Sequence, residues 1–129
     1  MTDAKTNYLE DAILNHVLRN TAYTSPTAIY VALYTVMPTD AGGGTEVAGG
    51  SYARQPVTFL APSSGVAASN GAVTFPVASG AWGEILGMGL FDQLSGGNLL
   101  YYGLLATSKI VGIGDQLAFA GGSLTVAET

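Results

Sequence analysis

Eighteen glycines punctuate this chain of 129 residues, and they fall between short apolar runs instead of recurring at a fixed period. Roughly 7% glycine is usual, so the chain carries about twice the ordinary share. This spacing excludes a collagen-like repeat and suits many short strands joined by tight turns. Cysteine is absent, so no disulfide framework, thiolate nucleophile or cysteine metal site is available, and packing must hold the fold together. Hydrophobic residues make up 48% and charged residues 10%, against roughly 25% charged in ordinary soluble domains. A body of this size cannot hide so much apolar surface by itself, which predicts that part of it is covered by other chains. One domain spanning residues 1–129 is expected.

Hydrophobic periodicity divides the chain. Leu9, Ile13 and Val17, flanked by Leu14 and Leu18, recur at helical spacing and predict a helix over about residues 7–20. Asn7 is the expected cap, Glu10 has the capping-box spacing, and Arg19 complements the dipole at the far end. From Ala28 the period becomes two, with Ile29, Val31 and Leu33 on one face and Tyr30, Ala32 and Tyr34 on the other, the pattern of a central strand. Met37 to Asp40 ends that strand, and the glycines from Gly42 to Gly50 predict a long flexible loop.

Further strands are expected over Gln55–Leu60, Ala72–Val77, Ile85–Asp92, Asn98–Leu105, Gln116–Ala120 and Leu124–Ala127, with a turn at Ser95-Gly96-Gly97. Pro56 and Pro76 restrict their strands to an edge or a bulge, and Gly87, Gly89 and Gly103 predict close backbone approach. The expected fold is mainly β: a small β-sandwich or open barrel with one N-terminal α-helix, the β-rich body covering about residues 28–127.

Charge and hydropathy remove whole classes of function. Four Lys or Arg against nine Asp or Glu leave a net charge of -5, so counterion release cannot drive nucleic-acid binding. No apolar run approaches the roughly 20 residues of a membrane-spanning helix, because Pro56, Pro62 and Pro76 interrupt the long uncharged stretch. Residues 1–7 lack the basic start and apolar core of a secretory signal.

Catalytic patterns are incomplete. Gly49-Gly50-Ser51-Tyr52-Ala53 approaches a nucleophile elbow, but Ala53 replaces the final glycine, and His16 is expected on a helix surface. Gly112-Ile113-Gly114 lacks the third glycine and the following helix of a dinucleotide site. Asp40 and Glu46 share the glycine-rich loop, yet two carboxylates rarely fix calcium, so a solvated loop is the expected reading. Glu84 and Asp92 are a candidate acid pair for glycoside hydrolysis, and their even spacing puts them on one face of a strand but far apart. Tyr30, Tyr34, Tyr52, Tyr101, Tyr102 and Trp82 are candidates for a sugar-binding platform, although alternation sends about half of the strand tyrosines inward. No enzyme activity, cofactor or metal is expected.

Asn7-Tyr8-Leu9-Glu10, Tyr23-Thr24-Ser25-Pro26-Thr27, Tyr30 to Thr35, Pro38-Thr39-Asp40, Glu46-Val47 and Ser51 to Gln55 together resemble a family of small structural proteins of tailed bacteriophages. Val73-Thr74-Phe75-Pro76, Trp82-Gly83, Leu90-Phe91-Asp92 and Gly97 to Gly103 continue the likeness along nearly the whole chain. The resemblance implies a virion component, assembled in the bacterial host cytoplasm, and transfers no catalytic residues. Against the family pattern Gly87-Met88-Gly89 and Ile110 to Ile113 are unusually apolar, so a neighbour is expected to cover them if they are exposed.

The absence of a repeat argues against a long fibre shaft, so the leading expectation is a capsid-decorating, or cement, protein binding the major capsid protein. A tail fibre or baseplate component that attaches to a host glycan receptor is the alternative. A homo-oligomer, with a trimer favoured, is expected, without nucleic-acid or membrane partners. The candidate interface combines Tyr8, Asp11 and His16 on the helix with Asp40, Glu46, Tyr52, Arg54 and Gln55 in and after the loop. Arg54 is expected either to anchor a partner's carboxylate or to pair with Glu46 in its own chain.

Overall fold

Period-two runs separated by left-handed glycine turns fold back on one another as antiparallel neighbours, because a two-residue or slightly longer turn joins no other kind. The computed structural model describes residues 2–128. Its elements are β1 (Thr2–Lys5), α1 (Asn7–Leu18), β2 (Ile29–Val36), β3 (Thr45–Glu46), β4 (Gln55–Phe59), β5 (Val66–Asn70), β6 (Val73–Thr74), β7 (Gly83–Phe91), β8 (Leu99–Val111), β9 (Ala118–Phe119) and β10 (Thr125–Ala127). The main sheet has the order β1-β8-β7-β2-β4-β5-β10, β3 adds beside β2, and β6 pairs with β9 apart from it. The sheet curls into a half-barrel. Its two ends meet where Lys5, the last residue of β1, forms an ion pair with Glu128 after β10, and Tyr101 donates a 2.6 Å hydrogen bond to the same carboxylate. The mainly β fold with one helix near the N-terminus is the expected one, in its open-barrel form.

β2 is central, as its alternation predicts, and both of its faces are covered. Val31 and Leu33 join Phe75, Trp82, Ile85 and Met88 in the concave core. Phe75 lies at the middle of that core, with ring centroids 6.1 Å from Tyr52, 6.3 Å from Trp82 and 6.4 Å from Phe119. Ala32 and Tyr34 pack on the convex face with Phe91 and Leu99. Each fully buried large side chain of this kind contributes about 1.5–3 kcal/mol. The expected close approach at Gly89 is real: a Cβ there would lie 2.6 Å from Leu99 and 3.0 Å from Tyr34. Gly87 is closed in by Gly103 and Met37 in the same way. Gly87-Met88-Gly89 is therefore the chain's own core, while Ile110 and Ile113 are the apolar residues of the later run that stay exposed.

Several expectations need correction. The helix ends at Leu18, not Asn20, and its N-cap is Thr6, whose Oγ1 accepts from the Leu9 amide, not Asn7. The shift follows from β1, which the sequence reading missed: Thr6 is where β1 ends, and its hydroxyl also donates to the Leu99 carbonyl at 2.7 Å. β5 was missed as well. Its apolar residues are Val66, Ala67 and Ala68, small side chains with little strand signature. β8 runs to Val111 instead of Leu105, whereas β6 and β9 keep only two residues each of their expected runs. The glycine-rich loop contains β3, which pairs with Tyr34 and Val36. Pro56 pairs with Tyr30 at a point where β5 has not yet joined β4, so its missing N–H faces no strand.

Candidate functional site

The loop candidates close into a knot. Glu46 on β3 and Tyr52 and Arg54 before β4 are brought together because Gly50, at a φ of 58°, lets the chain turn against Trp82. A Cβ on Gly50 would lie 2.9 Å from the indole nitrogen, which donates to the Gly50 carbonyl at 2.8 Å. Arg54 then grips Glu46 with two parallel 2.9 Å bonds, Nε to Oε2 and Nη2 to Oε1. Its Nη1 donates to the carbonyls of Gln93 at 3.0 Å and Gly96 at 2.7 Å. The guanidinium carbon sits 3.6 Å from the Phe91 ring centroid. The Tyr52 hydroxyl completes the knot, donating to Glu46 at 2.6 Å and accepting from the Leu33 amide at 3.0 Å.

Of the two readings of Arg54, the intrachain pair is what the structure contains, and it is no exposed pair. The Arg54 and Glu46 side chains are 8% and 24% exposed. Burial opposes the Arg54 charge, but the hydrogen bonds and charge of Glu46 more than compensate and its pKa is raised. Burial, followed by the bond to Glu46, pushes the Tyr52 phenol up. Burial, followed by the Glu46 charge, pushes Tyr34 up to about 12. The arrangement clamps the β3 loop to the turn between β7 and β8 and keeps few donors for a ligand.

The remaining loop residues are distributed differently. Asp40 accepts a hydrogen bond from the Tyr102 hydroxyl, and that bond, with burial behind it, raises Tyr102 to about 12. Gln55 turns back to the Ala53 carbonyl at 2.9 Å. Asp40 and Glu46 thus serve different partners, and neither is simply solvated. Among the described residues no three His, Asp or Glu side chains gather in a metal-binding group.

The helix candidates are open. Tyr8 is exposed on the first turn, Asp11 on the second, and His16 accepts from the Tyr23 amide at 3.2 Å. Of the apolar stripe that predicts the helix, Leu9 is buried and Ile13 half-buried. Leu14, Val17 and Leu18 are 53%, 69% and 73% exposed. The first turn is tied to the sheet through Thr6 to Leu99 and Leu100, and to the turn after β2 through the Asn7 amide to the Asp40 carbonyl at 2.8 Å. Twelve residues extend about 18 Å, and beyond the far end the Thr21 amide returns to the Asn15 carbonyl at 3.0 Å.

The other chemical candidates are not assembled. Ser51 donates to Ser79 at 2.7 Å, not to an imidazole. Glu84 takes a 2.8 Å bond from Ser108, while Asp92 holds Asn98 in the turn beyond the other end of β7. Eight residues of strand separate them by about 25 Å, far beyond the carboxylate spacing of a glycosidase. The aromatic platform is scattered: Tyr52 and Trp82 lie in the concave core and Tyr34 and Tyr102 in the convex cluster. Gly112-Ile113-Gly114 is a turn closed by the Asp115 carboxylate on the Gly112 amide at 2.8 Å.

Sequence reasoning also missed a hollow. Ile29, Phe59, Ala67, Leu90, Leu100, Tyr101 and Val126 line a largely apolar hollow of about 220 Å³ in the half-barrel. They come from six different strands, so only the curl of the sheet brings them together. Beside it, a second concavity sharing Ala67, Tyr101 and Val126 is edged by Glu128.

No curated protein matches the chain significantly. A family model described as Gp80, podophage GP4 fiber I protein gp80, matches residues 4–127. That span takes in the helix, the knot and the whole sheet except the start of β1, and it agrees with a phage virion structural protein. The chain belongs to the Gp80 family of podophage GP4 fiber I proteins.

Proposed function

We propose that this chain is a non-catalytic structural subunit of the phage fibre, built into the virion by contact with further copies and with neighbouring virion proteins. The match to a fibre protein family along residues 4–127 carries this reading, and it favours a fibre over the shell-decorating role that the sequence suggested first. The interior supports it too. The polar residues best suited to chemistry, Glu46, Tyr52 and Arg54, are consumed in bracing the loop, whereas several large apolar side chains, Leu14, Val17, Leu18, Ile110 and Ile113 among them, are exposed. Surfaces of that kind serve recognition between proteins.

Immunogold labelling of intact virions, with densitometry against the major capsid protein, tests the assignment. Label confined to fibres and a copy number that is a small multiple of the tail symmetry are expected. Label spread over the shell at near-capsid abundance would replace the fibre by the decoration role.

A further inference from the structure

Three segments of the chain enclose a concavity of about 410 Å³, where the start of α1 meets the turn after β2 and the turn between β7 and β8. That volume lies within the roughly 300–1,000 Å³ of small-molecule sites. Backbone bonds fix its frame, the Asn7 amide reaching the Asp40 carbonyl at 2.8 Å and the Thr6 amide the Leu100 carbonyl at 3.0 Å. Its lining is unlike that of the half-barrel hollow, because Asn7, Asp40 and Asn98 stand there beside the ring of Tyr8.

Two of these polar side chains are held by residues outside the lining. Tyr102 donates to Oδ1 of Asp40, which keeps Oδ2 as an acceptor. The Asp92 carboxylate takes the Asn98 backbone amide at 2.8 Å and its Nδ2 at 3.0 Å, which keeps Oδ1 and one amide proton of Asn98 for a ligand. Among the described residues the side chains of Asn7 and Tyr8 make no hydrogen bond, and Tyr8 is 44% exposed. Holding an exposed side chain in one geometry costs rotamer entropy, and polar groups fixed in advance by a supporting layer are what recognition of a small ligand requires.

The chemistry of the lining selects a class of ligand. A carboxylate accepts hydroxyl protons, two carboxamides both donate and accept, and the tyrosine ring presents an apolar face. No Lys, Arg or His lines the concavity and the chain's net charge is -5, so an anion is repelled. An uncharged sugar ring, with hydroxyls along its edge and C–H groups on its face, meets all of these conditions.

We propose that this concavity binds an uncharged hexose unit of a glycan, with Tyr8 against the face of the sugar and Asn7, Asp40 and Asn98 on its hydroxyls. The proposal rests on the fibre reading for its setting, a surface that meets the host, but the virion label tests that reading separately from sugar binding by the isolated chain.

Titration of the isotope-labelled full chain with methyl β-galactoside, methyl α-glucoside and N-acetylglucosamine, followed through the amide NMR signals, tests the site. At least one of the three is expected to bind with a Kd of about 1 mM, with shifts gathered at Asn7, Tyr8, Asp40 and Asn98. Tyr8→Ala, a change at an exposed position, is expected to weaken binding by at least about tenfold with the circular dichroism spectrum unchanged, whereas Tyr8→Phe keeps the ring and the binding. Asp40→Asn keeps an acceptor for Tyr102 and is expected to weaken binding several-fold. Galacturonate and glucuronate, the same rings carrying a carboxylate, are expected to bind at least about tenfold more weakly than the neutral sugars. No response to any neutral probe at about 20 mM, shifts located elsewhere, undiminished binding by Tyr8→Ala, or tighter binding of the uronates would each overturn the proposal. Loss of Tyr8→Ala from particles without any sugar response would overturn it too, and give the concavity to a neighbouring protein.

Discussion

The Glu46–Tyr52–Arg54 knot and the outer half of α1 exchange the roles that their compositions suggest. Three polar side chains are folded inward and satisfied, and three aliphatic ones are left in water. A charged group is buried safely once partners of the right geometry surround it, as the paired bonds and the two carbonyls do for Arg54. An aliphatic group remains outside when its side chain faces no other element, as happens to Leu14 and Leu18 on the later turns of α1. Burial is decided by where the backbone goes and only then by side-chain type.

The contrast breaks first, if it breaks, at Arg54. Arg54→Ala strips Glu46 of its ion partner and leaves two carbonyls unpaired, so a loss of about 3 kcal/mol is expected in denaturant unfolding; a change within experimental noise would return Arg54 to the category of ordinary surface cations. Tyr52→Phe removes one donor and one acceptor while keeping the ring against Trp82, with an expected cost of about 1–2 kcal/mol in the same measurement.

The pH dependence sharpens the comparison further. Tyr34 and Tyr102 hold their protons up to about 12 in the folded chain, against about 10 when unfolded. The folded state then binds more protons than the unfolded state between those values, so their contribution is complete below pH about 10 and is lost as pH rises toward about 12. Melts across that range should show the decline, and Tyr102→Phe should make it shallower. At the other extreme, burial raises the Glu128 pKa, but the Lys5 and Tyr101 hydrogen bonds outweigh it and the net shift is downward. Its contribution should be present above the ordinary carboxylate range and fade as pH falls through the lowered folded value; acid titration of wild type against Glu128→Gln measures it.

The smallest effect belongs to α1. Leu14→Ser, measured at concentrations low enough to keep copies apart, should change unfolding stability by no more than about 0.5 kcal/mol. A larger loss would mean that the helix face is supported within its own chain.

Much of the sheet was legible before any coordinates. The β2 alternation placed Val31 and Leu33 against Ala32 and Tyr34, since side-chain period follows from backbone geometry alone. Ser95-Gly96-Gly97 marked the hairpin because φ is positive at both glycines, a conformation that other residues enter at a cost. β5 was not legible: Val66, Ala67 and Ala68 earn their strand from neighbours on both sides. β1 escaped for a similar reason, being a strand only because β8 lies beside it. The interface candidates divided along the same line. Arg54 and Glu46 stand eight residues apart, close enough to suggest a pair, but no local signal says that Gln93 and Gly96 carbonyls arrive to bury it.

The amino-acid order by itself determined a glycine-punctuated, disulfide-free β chain with one amphipathic helix, because strand period, turn conformation and helical spacing are properties of a few consecutive residues. Tertiary structure alone decided that Leu14, Val17 and Leu18 stay uncovered while Leu9 is buried, that Arg54 is enclosed, and that residues from six strands surround a hollow. Those outcomes depend on how far the sheet curls and in which direction α1 leaves it. Both are set by contacts between segments as distant as Lys5 and Glu128.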